Sequence, residues 1–226
     1  MEKNKITNAI KFYLLATELK DKIRSGWKTE TWNIDRQRLE SVAEHIYGCC
    51  ILAIAIDSEF EMQIDLKKVI LMLVIHELEE IKIGDLTPFD KITKEKKRKI
   101  GREAVCEILK SLTKSDEYIN IIDEFEEMQT QEAKFCKMID KLEADIQAKI
   151  YCEENRADVS NVKNKEILKD ERIVKMIDAG NRTVADFFIE NDRPIFTQKE
   201  FLEIAEFVKN NDLYELDKSR FKRREK

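Results

Sequence analysis

The chain has 226 residues, 42% of them apolar and 38% charged. That is enough for one large domain, or one domain with an appendage, around a sizeable core. A net charge of −5, from 46 acidic and 41 basic side chains, offers no broad positive field and argues against nucleic acid as a partner. The longest apolar runs are too short and too interrupted to cross a bilayer, so no membrane role is expected.

Only 5 Gly and 2 Pro occur, while Glu, Lys, Leu and Ile abound. This predicts an all-α protein with short loops. Residues 5–23 predict a first helix with Ile10, Leu14, Leu15 and Leu19 on one stripe. A loop follows from Arg24-Ser25-Gly26-Trp27 to Arg38. Residues 39–58, facing inward through Val42, Ile46, Cys49, Ala53 and Ile56, and residues 65–79, with Val69, Met72, Leu73 and Ile75 or His76, are too apolar for surface helices and belong at the centre. Residues 80–93, with Gly84, Asp85 and Pro88, read as a loop. Helices are then expected over 93–112, 116–128 and 131–152. After a polar linker from Asn155 to Asn164, two or three more follow, near 165–179, 182–190 and 198–210, the last capped by Thr197. The division expected is a domain over 1–155 and a C-terminal helical extension over 156–226, ending in a solvated basic tail from Lys218 to Lys226. Five cysteines without a CxxC pair, and an N-terminus with no apolar leader, fit reduced thiols in a cytoplasmic protein.

The chain has two histidines, His45 and His76, one in each of the two most apolar helices. Each has a neighbouring carboxylate, Glu44 before His45 and Glu77 after His76. Glu77, Glu79 and Glu80 crowd the end of an apolar helix, and acids placed there need a partner, for which a divalent cation is one solution. A single histidine on an apolar helix is more often a satisfied core residue. The two-histidine zinc-protease motif also fails here, because the position four after His76 is Glu80. Asp140 lies in Lys137-Met138-Ile139-Asp140-Lys141-Leu142-Glu143, near the buried stripe of its helix. An ion pair with Lys137 or Lys141 is an equally open reading of it.

In order, the segments Arg24-Ser25-Gly26-Trp27, Glu40-Ser41-Val42-Ala43-Glu44-His45, His76-Glu77-Leu78-Glu79-Glu80 with Gly84-Asp85, and Lys137 to Glu143 resemble the HD superfamily of metal-dependent phosphohydrolases. The likeness runs over about residues 10–153 and is nearest the bacterial 5'-deoxynucleotidase branch. It implies an HD-type helical bundle. It implies one divalent transition metal (Mn, Co, Fe, Ni or Zn) on His45, His76, Glu77 and Asp140. Glu80 and Asp85 would be the catalytic acids, Arg24 the phosphate contact, and a nucleotide or other phosphoester the substrate. Relatives are commonly homodimers, so a homodimer is expected. Glu77 departs from the family's Asp by one methylene. This leaves two other readings open: a degenerate HD domain serving as a nucleotide-binding or interaction module, and a hydrolase of another phosphoester. Trp27 is open between core packing and a place under a base, and Lys141 between a supporting partner and a solvated lysine.

Overall fold

The computed structural model describes residues 2–28, 31–35, 37–87, 89–154, 157 and 165–219. Among these the protein is helical without a strand, and its one backbone bridge pairs Ile23 with Ser41. The expected all-α class therefore holds. The α-helices are α1 Glu2–Ala16, α2 Val42–Phe60, α3 Leu66–Ile75, α4 Glu80–Ile83, α5 Lys94–Leu109, α6 Ser115–Glu127, α7 Gln131–Glu153, α8 Glu171–Asp178, α9 Val184–Asp192 and α10 Lys199–Asn210. None is long and apolar enough to cross a membrane among the described residues. The chain divides into two compact units, Met1–Arg24 with Glu40–Lys137, and Ser25–Leu39 with Met138–Lys226.

In the first unit, α2 packs on α3, α3 on α6, and α5 on both α4 and α6. Its core gathers Leu19, Val42, Ile75, Leu78, Ile81, Val105, Ile108, Leu109 and Ile122. The start of α2 is fixed locally. Ser41 accepts from the Glu44 amide while the Glu44 carboxylate accepts from the Ser41 amide, a reciprocal cap that contributes about 1 kcal/mol. Glu44 is thus half of the cap. The chain before α2 is held by two backbone bonds, Arg24 N–H to the Glu40 carbonyl at 3.0 Å and Val42 N–H to the Lys22 carbonyl at 2.7 Å. They bring Arg24 beside the first turn of α2, where His45 sits.

Four local expectations need correction. The helix predicted over 65–79 ends at Ile75, so His76 caps α3 and residues 76–79 form a turn. The loop predicted over 80–93 contains α4, closed by Gly84 at φ 77, a conformation glycine adopts freely. The stripe predicted for α1 is covered only in part: Ile10 and Leu14 are more than half exposed, Leu15 packs half-buried against the core, and Leu19, in a short 3-10 turn after the helix, is buried. Thr197 does not cap α10: the cap position is Gln198, and the Thr197 hydroxyl lies 3.8 Å from the Met138 sulfur. The predicted linker at 155–164, except Ala157, the tail beyond Ser219, and Pro88 lie outside the described residues.

The second unit is built on aromatic packing. Trp27 stacks on Phe188 at 5.1 Å between centroids and meets the edge of Tyr151 at 5.2 Å, while Trp32 stacks on Phe187 at 5.5 Å. Trp27 is 1% exposed, which settles it as a core residue. α9 begins with a second reciprocal cap, between Thr183 and Asp186.

Candidate metal centre

The first unit brings six of the seven predicted site residues to one place: Arg24, His45, His76, Glu77, Glu80 and Asp85. His45 projects from the first turn of α2 and is fully buried. His76, also buried, ends α3 with its Nδ1 2.7 Å from the Leu73 carbonyl. A carbonyl only accepts, so Nδ1 donates to it and, in the neutral ring, the lone pair lies on Nε2. The two rings lie 5.8 Å apart, and the edge of Phe125 closes over His76 at 5.3 Å.

One oxygen of Glu77 joins the parts. Its Oε1 lies 3.5 Å from His76 Nε2, 4.0 Å from His45 Nε2 and 3.2 Å from Arg24 Nη1. Arg24 Nε also lies 3.9 Å from Asp85 Oδ2, so one guanidinium faces two carboxylates. Ligand atoms of His45, His76 and Glu77 all fall within 4.8 Å of one another, a spacing one ion can bridge. Two imidazole nitrogens and a carboxylate oxygen suit a divalent transition metal better than Ca, whose preferred ligands are all oxygen. The residues present therefore fit such an ion.

The acids behind this set are perturbed. Glu80, at the start of α4 and 2% exposed, is pushed up to about 10, chiefly by burial and then by the charges of Glu77 and Asp85, with Arg24 opposing. Its Oε2 has no hydrogen-bond partner. Glu79 rises to about 7, again mainly from burial and then from Glu77 and Glu126. Its carboxylate lies against Gly101, where an added Cβ would meet it at 3.2 Å, so the glycine makes room for a half-buried acid. Neither Glu79 nor Cys49 is among the site residues that the resemblance implies. Cys49, expected as an inward thiol of the core, has its sulfur 3.5 Å from His45 Nε2. The available signal was its place four residues after His45 on one helix.

Asp140 sits on α7, 2% exposed. Lys141 Nζ lies 3.3 Å from its Oδ2, which is one of the two ion pairs the sequence left open.

An HD-domain family model matches residues 16–179. The chain belongs to the HD-domain family. With that membership comes the class of chemistry, metal-dependent phosphohydrolysis. Over 153 residues it is 33% identical to the 5'-deoxynucleotidase HDDC2 of Dictyostelium discoideum, covering 65% of this HD-domain chain and 78% of that protein. The human 5'-deoxynucleotidase HDDC2 is 31% identical over 144 residues, covering 63% and 67%. Among solved structures, a conserved hypothetical protein from Pyrococcus furiosus superposes with a TM-score of 0.61 at 24% identity, over 89% of this chain and 99% of its own. A predicted metal-dependent phosphohydrolase from Magnetospirillum magnetotacticum gives 0.59 at 21% identity, over 90% and 96%. These two likenesses concern the fold alone.

Proposed function

We propose that this HD-domain protein hydrolyses (deoxy)nucleoside 5'-monophosphates to nucleoside and phosphate. The observation that carries the reading is the Glu77 oxygen set against two buried imidazoles and a guanidinium. The relatives named 5'-deoxynucleotidase support the substrate class. His45, His76 and Glu77 hold one divalent ion (Mn, Co, Fe, Ni or Zn), with Asp140 as a fourth donor. Support for Asp140 is its burial on α7 and its place in the Lys137–Glu143 motif. In the bound state the ion polarises a phosphoryl oxygen and acidifies a water.

The chain's own residues do the rest. Arg24 grips phosphate oxygens with a planar fork and offsets the surrounding acids. Glu80, buried beside Glu77 and Asp85, holds a proton near neutrality, and a cation bound at Glu77 would lower its pKa. It then orients or deprotonates the attacking water, while Asp85, close to Arg24, protonates the leaving alkoxide or holds the sugar. All these groups lie within residues 1–155, with 156–226 as the C-terminal extension. The reading is of a cytoplasmic homodimer. The uncovered apolar faces of α1 (Ile6, Ile10, Leu14) and α2 (Tyr47, Ile51, Ile54) support the dimer, and light scattering at assay concentration tests it.

The test is phosphate release from a panel of nucleoside and deoxynucleoside monophosphates with added Mn or Co, on a preparation whose metal content is measured. A panel without metal-dependent release ends the enzyme reading. One observation favours the second reading, a nucleotide-binding or interaction module: Arg24 already gives Glu77 a cationic partner at 3.2 Å. Protein purified without chelator that carries no stoichiometric metal decides for the module. Arg24→Lys keeps the charge and loses the fork. We expect it to raise KM about tenfold with a smaller change in kcat. An unchanged KM removes Arg24 from the phosphate site.

A further inference from the structure

The face of α2 that presents His45 presents Cys49 one turn later, and both side chains are fully buried. The Cys49 sulfur lies 3.5 Å from His45 Nε2 and 3.8 Å from Nδ1. It also forms a compact set with His76: ligand atoms of His45, Cys49 and His76 all fall within 4.8 Å of one another. This set is separate from the one containing Glu77 but shares both imidazoles with it.

The spacing can be compared with what a shared ion requires. A nitrogen at about 2.1 Å and a sulfur at about 2.3 Å from one tetrahedral ion stand about 3.6 Å apart. The observed separation from Nε2 is 3.5 Å. At His76 the Leu73 carbonyl already occupies Nδ1, which leaves Nε2 as the nitrogen for the ion.

We propose that Cys49 is a sulfur ligand of the metal held by His45 and His76, so that this chain's centre adds a sulfur donor to its two imidazoles. The proposal rests on the metal-centre reading above and deepens it. Ligation replaces the S–H bond by a sulfur–metal bond, and the thiol proton is released to solvent. A thiolate shifts preference among the candidate ions toward softer Zn and Co and away from Mn, which favours oxygen donors.

Full-length protein stripped of metal is titrated with Co alone and followed by absorption. The expected result is visible ligand-field bands together with an intense near-ultraviolet sulfur-to-cobalt charge-transfer band. That band should be absent in Cys49→Ala and Cys49→Ser and retained in Cys106→Ala. In competition with a chromophoric chelator, Cys49→Ala should lose about tenfold or more in Zn affinity, with little change for Mn. Visible bands without the sulfur band overturn the proposal and leave the metal centre standing, Cys49 then being only a thiol beside an imidazole. No cobalt spectrum at all overturns both. The wild-type spectrum decides the matter even where a variant folds poorly.

Discussion

His76→Ala abolishes metal-dependent phosphate release, by ~10³-fold or more, corresponding to the several kcal/mol of charge stabilisation an ion supplies at phosphorus. The reason is local. His76 Nδ1 is tied to the Leu73 carbonyl at 2.7 Å, so the ring offers Nε2 toward Glu77, and no other imidazole stands near except His45. Removing a buried imidazole also leaves a cavity, so far-ultraviolet circular dichroism and thermal unfolding must accompany the assay. The diagnostic pattern is loss of metal and activity together with retained helicity. Asp140→Ala should behave alike if Asp140 is the fourth donor. Full activity in His76→Ala would remove the metal from the chemistry. Full activity in Asp140→Ala alone would reduce Asp140 to the partner of Lys141, 3.3 Å away.

Asp145→Leu stabilises the protein, and by more as pH rises. Asp145 is on α7 in the second unit, fully buried, with neither carboxylate oxygen hydrogen-bonded. Burial, then the charge of Asp192 on α9, holds it well above the ordinary range, with Lys141 opposing and Asp140 and Glu143 adding slightly. Asp192 has its own donor, Asn191 Nδ2 at 2.7 Å, so it does not need Asp145. A raised pKa means that the folded chain keeps a proton the unfolded chain gives up. Stability from this group is greatest below the unfolded pKa near 3.8 and falls as pH rises toward the elevated folded value. Replacing the acid by a hydrocarbon of the same branching removes the desolvation cost, about 1–3 kcal/mol. Urea unfolding of the full chain from about pH 5 to about pH 8 measures it, with the difference between variant and wild type widening across the series. A constant difference, or a destabilised variant, would show that the carboxyl is not the burden its burial indicates.

Much of the helical pattern could be read in one dimension. Val42, Cys49, Ala53 and Ile56, and Val69, Met72 and Leu73, recur at the helical period, and all are buried. His45, four residues before Cys49, shares their buried face. Motif order pointed to Arg24, His76, Glu77, Glu80 and Asp85, and these residues lie near one another in the first unit. Local chemistry misled where two solutions were equally good. Glu44 beside His45 is half of a helix cap, and Thr197, expected as a cap, is not one.

Tertiary structure decided which apolar stripe is covered and which charges meet. The stripe of α1 has the spacing of a core helix, yet Ile10 and Leu14 face outward, because burial depends on what packs there and not on period alone. Arg24 and Glu77 are 53 residues apart, and only the backbone bridge before α2 sets their side chains 3.2 Å from each other. The long-range burial that lifts Glu79 and Glu80 is likewise invisible along the chain, since desolvation is a property of the surrounding atoms. Periodicity records which face of an element is apolar, whereas the distance between two faces is a property of the packed chain.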